Sequence, residues 1–87
     1  MATRATIPAG NPMSPDSRPV KHSLTLRGHR TSVSLETAFW DEFRRLAASR
    51  NQSVNALAAE IDAARTPPGS LASAIRIWVL AALKSAQ

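Results

Sequence analysis

Hydrophobic and polar positions alternate along RTSVSLE, residues 30–36, with Val33 and Leu35 apolar and Ser32 and Ser34 polar between them. This alternation predicts a β-strand with one buried face. A second alternating run, HSLTL at 22–26, puts Leu24 and Leu26 on one face. The apolar parity is even before Gly28 and odd after it. The glycine therefore marks a turn or bulge where the chain changes face. A short hairpin and a kinked, extended arm both satisfy this pattern, and no internal repeat is apparent.

From Glu36 onward the period changes. Phe39, Phe43, Leu46 and Ala47 recur at helical spacing, with Trp40 beside them. Asp41 and Glu42 precede Arg44, Arg45 and Arg50, the order of charge that a helix dipole favours. Asp41 and Arg45 are placed for a pair four residues apart. Asn51 can take the left-handed conformation that closes a helix. Ser53 is placed to cap a second helix, over about 54–64, with Val54, Leu57, Ala58 and Ile61 as its apolar positions. TPPGS, at 66–70, stops that helix, and Ser70 caps a third. Its main stripe is Leu71, Ile75, Trp78, Val79 and Ala82, and Ile77 and Leu80 make it apolar on much of its circumference. Such a helix has to be buried, most simply within a multimer.

The first 20 residues contain Pro8, Pro12, Pro15 and Pro19 among small polar residues, a spacing that predicts a disordered tail before an ordered domain at 21–87. Charge sharpens that division. The net charge is +5 over 87 residues. Residues 1–31 carry Arg4, Arg18, Lys21, Arg27 and Arg30 against Asp16 alone, whereas the rest of the chain is nearly balanced. A basic arm on a near-neutral helical body points to a polyanion, nucleic acid before membrane. A domain this small buries only about 60% of its unfolded surface. With no cysteine there is no disulfide to help, and oligomerisation is the expected remedy. No secretory signal is visible at the start. The apolar run IWVLAAL, 77–83, falls far short of the roughly 20 residues of a spanning helix, so a cytoplasmic location without membrane contact is expected.

The order strand, helix, tight turn, helix in RTSVSLETAFWDEFRRLAASRNQSVNALAAEIDAAR resembles the ribbon-helix-helix family of bacterial DNA-binding proteins. It is similar in particular to a short group sharing a GHRTSVSLE…FW opening and an SVNALAAEIDAAR second helix, and the likeness covers residues 22–84. The resemblance implies a mainly α fold with a short β-ribbon, formed as an intertwined homodimer and extended here by a C-terminal helix. It implies that the strand pairs with its copy in a second chain, so that Val33, Leu35, Phe39, Phe43, Leu46, Leu57 and Ile61 build a shared dimer core. Arg30, Ser32 and Ser34 would then read bases in the major groove. Backbone amides at Ser53, Val54 and Asn55 would hold a phosphate, and Lys21 and Arg27 would neutralise others.

Of that reading face, only Arg30 could make a bidentate contact with guanine. His22 and His29 have no carboxylate or thiol nearby in sequence, so no metal and no cofactor is expected. Trp40 and Trp78 are expected to pack rather than stack on bases. There is no cysteine nucleophile, nucleophile elbow or glycine-rich phosphate loop. Asp41–Glu42 and Glu60–Asp62 have the spacing of solvated helix faces. The sequence therefore predicts no enzyme. The expected function is a DNA-binding transcriptional regulator, a homodimeric repressor acting by occupancy. The alternative is a ribbon-helix-helix dimer that binds a protein, in an antitoxin- or adaptor-like role, through the third helix or the N-terminal tail.

Overall fold

The structure is a computed structural model, and it describes residues 18–86. Five elements follow one another: β1 (Pro19–Leu26), β2 (His29–Glu36), α1 (Thr37–Ser49), α2 (Val54–Ala64) and α3 (Leu71–Ser85). Most of the expected tail, residues 1–17, lies outside the described residues. Its last two positions are corrected, because the strand begins at Pro19 rather than near Lys21. A proline is tolerated there because the first residue of an edge strand need not donate to the ladder.

The two strands pair antiparallel within one chain, with Lys21 opposite Ser34, Ser23 opposite Ser32 and Thr25 opposite Arg30. Of the two readings left open for residues 22–26, the hairpin is the one observed. Within the chain β2 pairs with β1, the neighbour that the resemblance assigns to a strand of a second copy. The turn explains why. Arg27 and Gly28, its two central residues, both have positive φ, 53° and 84°. That is the pattern of the type I′ turn, whose twist matches a two-residue hairpin.

The register also corrects the reading that no repeat exists. KHSLTL, 21–26, and RTSVSL, 30–35, match position by position: cation, half-buried residue, serine, buried aliphatic, hydroxyl, buried leucine. The antiparallel pairing relates the two copies by an approximate twofold axis through the Ser23–Ser32 pair.

The inner face of the ribbon carries Leu24, Leu26, Val33 and Leu35, all buried. They meet Phe43 and Ala47 of α1, Leu57, Ala58 and Ile61 of α2, and Ile75 and Val79 of α3 in one core. Of the residues expected to form a dimer core, Val33, Leu35, Phe43, Leu57 and Ile61 are thus buried by their own chain, and Phe39 and Leu46 pack half-buried against them. The third helix supplies what a small domain otherwise lacks, a further apolar stripe of its own.

Caps and turns follow the sequence. Asn51 has φ 57°, and the amides of Asn51 and Gln52 reach back to the carbonyls of Ala48 and Ala47, the paired bonds of a Schellman closure. Ser53 accepts from the Ala56 amide, and Ser70 from the Ser73 amide, each satisfying a first-turn donor. One expected pair differs: Arg45 binds Glu42, three residues earlier, rather than Asp41. Arg45 thereby holds the Glu42 carboxyl below the ordinary carboxylate range.

A longer link closes the fold. Arg76 of α3 grips Glu36 at the end of β2 through Nε (2.9 Å) and Nη2 (3.2 Å). Nη2 also donates to the Ser34 carbonyl at 3.4 Å. The Arg76 guanidinium holds the Glu36 carboxyl below its ordinary value, as a paired carboxylate should be.

Candidate nucleic-acid interface

Side chains alternate across a strand, so burying Leu24, Leu26, Val33 and Leu35 turns the residues between them outward. Lys21, Ser23, Thr25, Arg30, Ser32 and Ser34 are all exposed. Because opposite residues share a face, these six form three cross-strand pairs on one outer surface. The surface holds two cations, four hydroxyls and no carboxylate. Glu36, the nearest acid along β2, is bound to Arg76.

The structure therefore places Arg30, Ser32 and Ser34 on one open face, where the strand pattern put them. It adds Ser23 and Thr25, which the sequence reading did not single out, and sets Lys21 on the same face, opposite Ser34. The signal for all three was present in the parity of the first strand, since burying Leu24 and Leu26 forces Lys21, Ser23 and Thr25 outward. What was lacking was the register.

The ribbon tip and the start of α2 border this face. Exposed Arg27 sits in the turn. Asn55, in the first turn of α2, accepts from the Thr25 amide through Oδ1 at 3.0 Å. That bond draws the helix start against β1, beside the Thr25–Arg30 pair. The first-turn amides of a helix have no acceptors within it. Those of Val54 and Asn55 belong to the helix end that Asn55 ties to the edge of β1, in the positive field of that end. Ser53 Oγ already accepts from Ala56, so its hydroxyl proton is what it can offer outward. Lys21 is at the far end of the ribbon from Asn55, opposite Ser34.

The histidines and tryptophans have separate places. His22 is half-buried and stacks on Trp40, with ring centroids 3.9 Å apart and planes 7° from parallel. Trp78 meets Phe43 edge-on at 6.3 Å, with the Arg50 guanidinium over its ring at 5.5 Å. Both indoles thus pack against the body, away from the ribbon's outer face. His29 lies at the turn, opposite Leu26. Among the described residues no three histidine, cysteine or acidic side chains converge as metal ligands would. No described helix is long and apolar enough to cross a membrane.

A β-ribbon with an apolar inner face and a polar cationic outer face, followed by two helices joined through a tight turn, has counterparts among known families. Neither a curated protein nor a solved structure matches the chain significantly. A family model does, described as the ribbon-helix-helix domain and aligned over residues 19–83. That span runs from the first residue of β1 almost to the end of α3, and the chain belongs to the ribbon-helix-helix domain family.

Proposed function

We propose that this protein is a DNA-binding regulator that represses by occupying its operator, with the polar face of the ribbon in the major groove. The observation that carries this reading is the outer face itself. Lys21 and Arg30 stand among Ser23, Thr25, Ser32 and Ser34 with no carboxylate between them. A two-stranded ribbon fits the major groove. Arg30 supplies the bidentate contact to guanine, and the serines and threonine donate or accept at neighbouring base edges. Arg27 at the tip, and the Val54 and Asn55 amides beside β1, serve phosphates on either side and fix the register of the ribbon. The homodimer implied by the resemblance would bring two complete ribbons to neighbouring half-sites, and a short reading face gains specificity from such bivalent binding.

A second reading has its own support. Ile77 and Leu80 on α3 are 68% and 55% exposed, which suits a protein partner in an antitoxin- or adaptor-like role. Fluorescence anisotropy with DNA from upstream of the protein's own gene, against scrambled DNA across a salt series, separates the two. The DNA reading expects a preference that persists at physiological salt and is lost in Arg30→Ala. Equal, steeply salt-sensitive binding to both DNAs would leave only non-specific attraction and turn attention to the α3 face.

A further inference from the structure

We infer that one chain carries a complete, pseudo-symmetric DNA-reading ribbon, in which β1 plays the part that a second copy of β2 would play. This deepens the DNA-binding reading and rests on it. If β2 paired with its own copy about Ser32, Arg30 would stand opposite the partner's Ser34 and Ser32 opposite its own copy. In the hairpin, Arg30 stands opposite Thr25, Ser32 opposite Ser23, and Ser34 opposite Lys21. Thr25 replaces a serine with another hydroxyl, Ser23 repeats the serine, and Lys21 replaces an arginine with another cation. The internal repeat of 21–26 and 30–35 thus reproduces a twofold ribbon in both chemistry and geometry.

The inner face agrees. Leu24 and Leu26 occupy the positions of Val33 and Leu35, and all four are buried by the helices of the same chain. The open edges of the ribbon point the same way. The outward Thr25 amide is bound by Asn55, and the outward Ser34 carbonyl by Arg76, so a partner strand would have to displace a contact on either side. The ligand of this ribbon is a nearly palindromic DNA segment in which each half is read by a different strand of one chain. The two halves are not equivalent. Arg30 can form a bidentate contact that Lys21 cannot, so the half facing Arg30 carries the stronger guanine preference.

Two experiments test this, one of them without DNA. In Ser23→Cys/Ser32→Cys the new thiols face each other across a non-hydrogen-bonded pair, where side chains approach most closely. Mild oxidation is expected to give a disulfide-linked single chain by non-reducing mass spectrometry. A covalently linked dimer as the main product from this double variant would overturn the inference.

The second experiment selects binding sites from randomised duplexes. Ser23→Ala and Ser32→Ala are each expected to relax the base preference roughly 3- to 10-fold in opposite halves of the selected site. If Ser32→Ala relaxes both halves and Ser23→Ala neither, the ribbon is built from two chains, and the inference fails while the DNA reading stands. If the wild type selects no sequence although the single-chain disulfide forms, the DNA reading itself fails, and the inference with it.

Discussion

The two faces of the ribbon are made by neighbouring residues on the same strands, yet they answer to different constraints. On the inner face Val33 and Leu35 are almost wholly buried, and the helices packed on them dictate their size and polarity. One residue away, the side chains of Ser32 and Ser34 are exposed on the outer face. The inner face determines whether the hairpin docks on the helices at all. The outer face, free of packing, can be tuned for recognition at almost no cost in stability.

The sharpest break of this comparison is Val33→Asp against Ser32→Asp. An unpaired carboxylate buried at position 33 should cost more than about 4 kcal/mol, comparable to the whole stability of a domain this size. Circular dichroism should therefore find Val33→Asp unfolded, whereas Ser32→Asp keeps its helices but loses DNA affinity. Phe43→Ala comes next. It empties the centre of the core, where the side chain has no exposed surface, and should cost about 3–5 kcal/mol, measured by urea denaturation.

Arg76→Ala tests the link from α3 to the ribbon and should cost about 1 kcal/mol, since the pair with Glu36 is only partly shielded from water. It also has a pH signature. The folded carboxyl lies below its ordinary value of 4.5 because Arg76 binds it, so the unfolded chain takes up the proton more readily. The pair's contribution is complete above pH 4.5 and is lost as the pH falls through the folded value. An acid titration of stability should show this component in the wild type and not in Arg76→Ala.

The smallest effect is expected at the turn. Arg27 holds a left-handed backbone that asparagine adopts more readily. Arg27→Asn should stabilise the hairpin by about 0.5–1 kcal/mol, while lowering the salt dependence of DNA binding by about one phosphate contact. A gain in thermal stability without that change in salt slope would remove Arg27 from the interface.

Much of this was legible in residue order because the signals are local. Ser53 and Ser70 each cap the helix they precede, and Asn51 closes a turn with its own backbone. Alternation around Val33 and Leu35 needs only a handful of residues to be read. The strand pairing was not local. Whether β2 meets β1 or a copy of itself depends on a turn with an arginine where asparagine or glycine is favoured, which left the hairpin as one of two open readings. The repeat was hidden because only Ser23/Ser32 and Leu26/Leu35 are identical, and the pairing register is what aligns the other positions. The link from Arg76 to Glu36 joins residues 40 apart, beyond the reach of any periodicity. Asp41 and Arg45 stood at a good spacing, but Glu42 offered an equally reachable carboxylate one residue nearer.

The two side chains at the ribbon's margins have a further consequence, for colloidal behaviour. A two-stranded sheet has no interior strand, and each of its strands is a template on which another molecule could grow a third. Here Asn55 fills part of one margin and Arg76 part of the other, with charged Lys21 and Arg30 flanking them. Open strand margins blocked in this way resist edge-to-edge aggregation, so a ribbon with an exposed outer face is guarded against the growth of a third strand along it.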